Sequence, residues 1–297
     1  AIRIARTCSD LGLKTVGIYS EDDANSLHLS KVDEAYKIDG KGSQSYLNSK
    51  EIIAVAKKSK ADAIHPGYGF LSENASFAAA TKRAKIKFIG PNERTLKTFG
   101  DKTLAKELAH SLGIPVIAGT EKKTSLRQAQ SFFKSLKNNS SVVIKAISGG
   151  GGRGMRVVSQ SDDLKESYDR ASSEAKAAFD SPDLYIEEYL SNYRHVELQI
   201  LGDGTGEVSH FHERECSIQR RYQKLIEIAP SPSLNVELKN KMVEASLSLT
   251  KELKYEGLAT IEFLVNVEKN DFRFIECNPR LQVEHTVTES ILSLDLV

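Results

Sequence analysis

A run of four glycines, Gly149 to Gly152, lies between two predicted strands at 141–146 and 155–159. This run and the two residues that follow it contain the spacing G-x-G-x-x-G, but the dinucleotide-binding fold requires a helix directly after that loop. A strand follows here, and the sequence contains no G-x-x-x-x-G-K-[ST] phosphate loop. The pattern therefore predicts a strand–loop–strand flap whose backbone N–H groups close over phosphates, with Lys145 adding a positive charge at its base. A flexible hairpin tip that binds nothing is the alternative.

The first 90 residues alternate between strand and helix signals. Strands are predicted at 15–19, 35–38, 61–65 and 87–90, and helices at 1–11, at about 46–58 and, capped by Ser72, at 73–84. Such alternation predicts an α/β fold with an N-terminal doubly wound parallel sheet.

The rest of the chain contains a small second unit and then a region with antiparallel signals. Two short helices are predicted after the caps Asn92 and Asp101, and helices near 125–136 and at 162–178 accompany the strands around the glycine run. Two hairpins follow, at 195–201 with 206–212 and at 258–267 with 271–276, separated by a long helix at about 234–254.

Two carboxylates interrupt the apolar strands of the last predicted hairpin. If this hairpin is symmetric about Lys269, Glu262 and Glu276 lie directly opposite each other on one face, where like charges are destabilising. A divalent cation between them removes this repulsion, and Asn278 on the same face adds a third oxygen. The pattern predicts a Mg²⁺ site, with two solvated glutamates at a sheet edge as the alternative.

Charged and polar side chains also alternate along residues 278–285, where Arg280, Gln282 and Glu284 are two positions apart. In an extended chain these side chains point to one side. Arginine binds a small planar oxyanion through paired hydrogen bonds, and a neighbouring carboxylate can act as a base. A second basic cluster covers residues 220–224. The alternative reading is a solvated charged face.

Overall composition excludes several classes of protein. The 41 Lys and Arg residues against 40 Asp and Glu residues argue against nucleic-acid binding through bulk positive charge. No apolar stretch approaches the roughly 20 residues that cross a bilayer. Three widely spaced cysteines indicate a reducing compartment rather than a disulfide framework. Because the sequence begins inside an amphipathic helix and ends inside an apolar run, we expect it to be a fragment cut at both ends.

Several segments, taken together and in order, resemble the biotin carboxylase component of biotin-dependent carboxylases, a member of the ATP-grasp superfamily. These segments are His65 to Asn74, Phe88 to Pro91, Gly100 to Lys102, Gly149 to Met155, Arg194 to Glu197, Glu215 to Arg221 and Asn278 to Thr286. The resemblance implies an N-terminal domain over residues 1–100 and an ATP-grasp domain over 101–297. Within the latter, it implies a small glycine-loop lid subdomain at about 117–190.

The resemblance also implies roles for individual residues. Contacts to ATP are implied for Lys102, Lys145, Gly151, Gly152, Glu187, Glu188, Tyr189, Leu190, His195, Gln219, Glu262 and Glu276. Metal ligation is implied for Glu262, Glu276 and Asn278. Bicarbonate binding is implied for Lys224, Arg280, Gln282, Val283 and Glu284, of which Arg280, Glu284 and Lys224 would be catalytic.

The activity implied by the resemblance is carboxylation of biotin. Glu284 would deprotonate bicarbonate, which would attack the γ-phosphate of ATP to form carboxyphosphate, and Arg280 would orient the reactants. The implied cofactors are ATP and Mg²⁺ or Mn²⁺, with biotin as a carried substrate. The implied partners are a biotin carboxyl carrier domain, a carboxyltransferase domain and a second copy of the chain, without nucleic acid or membrane. The expected location is the cytoplasm or the mitochondrial matrix.

Two other functions are consistent with the pattern: another ATP-grasp ligase, such as a carbamoyl-phosphate synthase-like enzyme, and a non-catalytic nucleotide-binding module. The run at 280–285 favours biotin carboxylase, and the opposed carboxylates argue against a module. Residues 285–289 are similar to the corresponding segment of pyruvate carboxylases. Tyr222 departs from the family pattern, which usually has histidine at this position. As a fragment, the chain is expected to bind ATP but to carboxylate biotin weakly or not at all.

Overall fold

The computed structural model describes residues 1–120, 123–137, 140–147, 155–220 and 222–297. The predicted glycine loop, including Gly151 and Gly152, lies outside these residues. Within the described ranges, no helix is long and apolar enough to span a membrane.

The N-terminal region alternates between helices and short strands, as predicted. Its elements are α1 (Ile2–Asp10), β1 (Val16–Tyr19), β2 (Glu34–Lys37), α2 (Gly42–Ser45), α3 (Ser49–Lys58), β3 (Ala63–Ile64), α4 (Ala75–Arg83), β4 (Lys87–Phe88) and α5 (Glu93–Gly100). β1 pairs with β2, and β3 pairs with β4, both in parallel. The parallel pairing is therefore confirmed, although the four strands form two separate pairs. Phe77, Phe88 and Leu96 belong to the apolar core of this region.

Side-chain caps decide where several helices begin. The amide oxygen of Asn74 accepts the Phe77 N–H at 2.8 Å, so α4 begins at Ala75. The predicted cap at Ser72 is wrong, because α4 begins two residues later than predicted and Ser72 lies in the preceding turn, where its N–H donates to the Gly69 carbonyl. Asn92 caps α5 and Asp101 caps α6 (Lys102–Ser111), as predicted.

A small unit follows in the middle of the chain. Its elements are α7 (Leu126–Ser135), β5 (Ser141–Ala146), β6 (Met155–Val158), α8 (Leu164–Phe179) and β7 (Leu184–Tyr189). The strands form an antiparallel sheet in the order β6-β5-β7, and both helices pack on it around a separate apolar core. Strand β7 was not predicted, because Glu187 and Glu188 interrupt its apolar run.

The C-terminal region is built on a five-stranded antiparallel sheet. Its elements are β8 (Arg194–Asp203), β9 (Val208–Arg220), β10 (Gln223–Ile228), α9 (Val236–Glu252), β11 (Glu256–Asn266), β12 (Asp271–Asn278) and α10 (His285–Leu292). The strand order is β10-β9-β8-β11-β12. Both predicted hairpins are present, but β9 is longer than predicted and β10 was missed.

The two faces of this sheet differ in chemistry because successive side chains along a strand point to opposite sides. On β8, Val196 and Leu198 are buried in the apolar core beneath α9. His195, Glu197 and Gln199 alternate with them and point to the opposite face. This opposite face carries the candidate functional site.

Candidate ATP- and bicarbonate-binding site

Four charged residues form a row across the polar face of the large sheet. In the strand register, Arg214 on β9 opposes Glu197 on β8, Glu197 opposes Glu262 on β11, and Glu262 opposes Glu276 on β12. We call these four residues the charged row. The predicted opposition of Glu262 and Glu276 is therefore confirmed. Three carboxylates in adjacent strands repel one another unless cations lie among them.

Glu262 is the most densely contacted carboxylate of the charged row and is only 5% exposed. It accepts hydrogen bonds from His195 Nε2 at 2.6 Å, Asn278 Nδ2 at 2.8 Å and Lys224 Nζ at 3.0 Å. Burial alone would raise the pKa of Glu262, but His195 and Lys224 lower it to about 2. Glu262 is thus an anion, and Asn278 lies beside it as predicted.

Lys224 connects the charged row to the segment after β12. Its Nζ lies 2.5 Å from Glu197 Oε2, 3.0 Å from Glu262 Oε1 and 3.0 Å from Glu284 Oε1. Burial lowers the pKa of Lys224, but Glu197 and Glu262 outweigh burial and raise it. Lys224 is therefore a fixed cation that brings Glu284 next to Glu262.

Behind Lys224, the Glu197–Arg214 pair is completely buried. Arg214 Nε donates to Glu197 Oε1 at 2.6 Å, and its NH1 donates to Gln199 at 2.9 Å and to Thr288 on α10 at 2.8 Å. Sequence reasoning missed this pair as part of the site. The only signal was that Glu197 lies within a segment that resembles biotin carboxylases.

Gln219 and Tyr222, at the β9–β10 turn, differ in their surroundings. Gln219 Nε2 donates to His195 Nδ1 at 2.7 Å and to the Cys216 carbonyl at 2.8 Å, so it orients the His195 ring. Tyr222 is 47% exposed and has a positive φ of 65°. The structure therefore brings Gln219 to the site and leaves Tyr222 at its edge.

A cluster of lysines flanks the other end of the charged row. Lys102 Nζ lies 3.3 Å from Glu276 Oε2, and Lys145 Nζ lies 2.5 Å from Glu187 Oε2. Lys106, which sequence reasoning missed, contacts the other oxygen of Glu187. Burial and neighbouring ammonium groups lower the pKa of Lys145 to about 7 and that of Lys106 to about 8, and the Glu276 carboxylate opposes this shift. Three closely spaced amines are suited to binding phosphates.

A cavity of about 820 Å³ adjoins this cluster between α6 and the segment at 116–120. Lys102, Lys106 and Tyr185 line it, and this volume is in the range of small-molecule sites. The predicted residues Glu188, Tyr189 and Leu190 lie at and just beyond the end of β7, where the Glu188 N–H donates to the Ala118 carbonyl at 2.8 Å.

The prediction that residues 280–284 are extended, with Arg280, Gln282 and Glu284 pointing to one side, is wrong. β12 ends at Asn278, because Pro279 has no N–H to continue the ladder. The chain then turns into α10, whose N-cap is Glu284. Gln282 is buried, and its Oε1 has no hydrogen-bond partner among the described residues, whereas Val283 is 60% exposed. Glu284 still reaches the site, but through the turn and Lys224.

Arg280 lies beside Asn278 after this turn. Its NH2 donates to Asn278 Oδ1 at 3.3 Å and its NH1 to the Leu281 carbonyl at 3.3 Å. Its Nε donates to Glu73 Oε1 of the N-terminal region at 2.5 Å. Arg280, Asn278, Glu262, Lys224 and Glu284 thus form one connected set of hydrogen bonds.

The donor set around Glu262 and Glu276 fits a hard divalent cation. The two carboxylates are directly opposed and the Asn278 amide adjoins Glu262, so the available ligands are oxygens. Within the described ranges, no group of three or more His, Cys, Asp and Glu side chains is arranged to hold a metal. A cation here would therefore take its remaining ligands from phosphates and water, as Mg²⁺ commonly does.

Two family models match the chain. The biotin carboxylase N-terminal domain matches residues 1–96, and the carbamoyl-phosphate synthase L chain ATP-binding domain matches residues 101–297. Pyruvate carboxylase of Bacillus subtilis is 49% identical over 300 residues, and human mitochondrial pyruvate carboxylase is 48% identical over 301 residues. Both alignments cover 100% of this chain but only 26% and 25% of those proteins.

Solved structures agree with these matches. Biotin carboxylase from Campylobacter jejuni, in a complex named β-γ-ATP, has a TM-score of 0.93 and 43% identity over 99% of this chain and 66% of its own. The biotin carboxylase domain dimer of Hydrogenobacter thermophilus 2-oxoglutarate carboxylase, in complex with MgADP, ADP and bicarbonate, has a TM-score of 0.92 and 41% identity. That match covers 99% of this chain and 64% of the other. The chain belongs to the biotin carboxylase family.

Proposed function

We propose that this chain activates bicarbonate with ATP and transfers the resulting carboxyl group to biotin. The observation that carries this proposal is the position of Lys224, which bonds both Glu284 and Glu262 at 3.0 Å. One lysine thereby places the candidate base for bicarbonate beside the candidate metal carboxylate for ATP. A nucleotide-binding module without chemistry has no need for this juxtaposition.

Bicarbonate would bind between Arg280 and Lys224. Arg280 would hold two oxygens of the planar anion, and Lys224, Gln282 and the backbone of Val283 would complete the pocket. The buried Gln282 would donate its amide N–H to a bicarbonate oxygen, which leaves the single bicarbonate proton to Glu284. Glu284, held by Lys224, would remove the proton as the oxygen attacks.

The attacked atom would be the γ-phosphorus of ATP. The new O–P bond forms carboxyphosphate while the bond to the β-phosphate breaks and ADP leaves. Lys102 and Lys145 would neutralise charge on the phosphates, and His195 and Gln219 would support the nucleotide site. Glu262, Glu276 and Asn278 would hold Mg²⁺ or Mn²⁺, which supplies charge neutralisation at the phosphates.

Carboxyphosphate would then break into CO₂ and phosphate. The phosphate would accept the ureido proton of biotin, and the biotin nitrogen would attack CO₂ to give carboxybiotin. Because carboxyphosphate is labile in water, we infer that the unit at about 117–190, with the glycine loop, acts as a lid over it. The separation into a domain at 1–100 and an ATP-grasp domain at 101–297 belongs to the same proposal.

The wider function follows from the relatives. Since the chain spans about a quarter of the pyruvate carboxylases that it matches, we infer that it works with a biotin carboxyl carrier and a carboxyltransferase, and that pyruvate is the final acceptor. A homodimer is proposed because one structural relative is named a domain dimer. The bacterial and mitochondrial relatives favour the cytoplasm or the mitochondrial matrix.

The test is ADP release from Mg-ATP, measured with and without bicarbonate and free biotin. We expect release that depends on bicarbonate, increases only weakly or not at all with biotin, and is lost in Glu284→Gln while Mg-ATP binding persists. Release stimulated by ammonia, or by a carboxylate other than bicarbonate, would favour a different ATP-grasp ligase. Normal Mg-ATP binding with no release under any condition would favour a nucleotide-binding module.

A further inference from the structure

Arg280 makes its shortest hydrogen bond with a residue that lies 207 positions away in the sequence. Arg280 Nε donates to Glu73 Oε1 at 2.5 Å. Glu73 belongs to the N-terminal region, whereas Arg280 follows the last strand of the large sheet. The Arg280 side chain is 22% exposed and that of Glu73 is 40% exposed. A salt bridge this exposed contributes little to the free energy of unfolding, so we expect its main effect to be on the orientation of the Arg280 side chain.

The backbone around Glu73 is held in place by its neighbours. Leu71 and Ser72, directly before it, are buried. The Asn74 N–H donates to the Leu71 carbonyl at 3.1 Å, and the Asn74 side chain caps α4. Glu73 therefore extends from a packed turn, which makes it a suitable support for another side chain.

The hydrogen bond with Glu73 determines which N–H donors of Arg280 remain available to a ligand. A guanidinium has five N–H groups: one on Nε and two on each terminal nitrogen. Among the described residues, Glu73 takes the Nε donor, the Leu281 carbonyl takes one on NH1, and Asn278 takes one on NH2. One N–H remains on each terminal nitrogen. A planar oxyanion can then be held only by the edge formed by NH1 and NH2, because the Nε donor is occupied.

We propose that Glu73 is a positioning residue for bicarbonate activation: by occupying Nε, it directs the NH1–NH2 edge of Arg280 toward the oxyanion. This inference rests on the proposed function. It makes the N-terminal region part of the bicarbonate site, although Glu73 itself touches no reactant. Loss of Glu73 frees Arg280 to rotate and to offer two different edges.

The experiment compares Glu73→Ala, Glu73→Gln and the control Glu256→Ala. Glu256 forms the matched salt bridge, 2.5 Å from Lys87 of the N-terminal region, with exposures of 37% and 60%. Both alanine variants therefore remove an exposed salt bridge between the same two regions, but only Glu73→Ala removes a contact of Arg280. For Glu73→Ala we expect a KM for bicarbonate raised about tenfold, with the KM for ATP unchanged. Glu73→Gln keeps an acceptor and should recover part of this loss, whereas Glu256→Ala should behave as wild type.

Equal bicarbonate KM values in Glu73→Ala and Glu256→Ala would overturn the proposal. A second readout does not need turnover: the NMR signal of the Arg280 Nε–H, assigned by its loss in Arg280→Lys. We expect hydrogen exchange of this proton to accelerate in Glu73→Ala and to stay slow in Glu256→Ala. If the wild-type chain shows no bicarbonate-dependent ADP release, the proposed function fails, and this signal alone decides whether Glu73 holds Arg280. An exchange rate unchanged in Glu73→Ala would then overturn the positioning role.

Discussion

Glu197 on β8 and Glu262 on β11 oppose each other directly in the large sheet, and Lys224 Nζ lies between them, 2.5 Å from Glu197 and 3.0 Å from Glu262. Two buried carboxylates in opposed positions are tolerable only if a cation compensates them. Lys224 is thus needed both for the fold of this face and for the arrangement of the site.

Lys224→Met is expected to destabilise the chain by about 3 kcal/mol, because it leaves Glu197, Glu262 and Glu284 without their shared cation. The loss should shrink as the pH falls, because Lys224 lowers the pKa of Glu262 and its removal lets this buried carboxyl take up a proton at higher pH. Urea unfolding at several pH values measures both effects. Lys97→Met is the control, since Lys97 pairs with Glu93 at 2.6 Å on the exposed surface of α5 and its loss should cost about 1 kcal/mol or less. Equal losses in the two variants would contradict this role for Lys224.

Glu276→Gln is expected to weaken ATP binding about tenfold in the presence of Mg²⁺ and much less in its absence, because it removes one charged oxygen ligand of the proposed metal site. Glu276 is a third exposed, so the substitution should have little effect on stability. Calorimetric titration with ATP, with and without Mg²⁺, measures the difference. Asp271→Asn on the same strand should leave it unchanged, and an equal loss with and without the metal would argue against Glu276 as a ligand.

Lys106→Met should change the pH dependence of ATP binding. With the pKa of Lys145 lowered to about 7, affinity for ATP should fall as the pH rises through 7, because the ammonium that binds phosphate loses its proton. In Lys106→Met, Lys145 no longer has a neighbouring ammonium group and no longer shares the Glu187 carboxylate. The pKa of Lys145 should therefore rise, and the loss of ATP affinity should occur at higher pH. Titrations between about pH 6 and 9 test this. Lys123→Met, which removes another amine beside the same cavity, controls for ionisation of ATP itself, and coincident profiles would refute the prediction.

His65 should make the fold sensitive to mild acid. Its Nδ1 accepts the Gly67 N–H at 3.0 Å, and burial lowers the pKa of His65 from 6.5 to about 4. Because the unfolded chain binds this proton first, stability is fully present above pH 6.5 and decreases as the pH falls toward 4, by about 2 kcal/mol after allowing for partial exposure. His65→Asn keeps an acceptor for Gly67 but does not titrate, so its unfolding free energy should be flatter between these pH values. If the unfolding free energies of the wild type and of His65→Asn change with pH in the same way, His65 is not the cause of the acid sensitivity.

The amino-acid sequence by itself determined the features that depend on residues close together in the chain. Alternation of strand and helix signals predicted the parallel pairs near the N-terminus. Apolar patterning predicted the last hairpin, but its turn pairs Asn266 with Asp271, and the opposition of Glu262 and Glu276 depends on a β-bulge next to Glu262 that shifts the register by one residue. The family resemblance was likewise readable from the motifs alone.

Only the tertiary structure decided which distant charges meet. Glu73 with Arg280, Lys106 with Glu187, and Lys224 with Glu197 join residues that no local periodicity connects. In sequence, each of these charged side chains is equally consistent with a solvated surface. Packing of the sheet and of the N-terminal region brings these residues within reach of one another. For Lys106 with Glu187 and Lys224 with Glu197, packing also removes water, and a buried charge without a partner is too costly to persist.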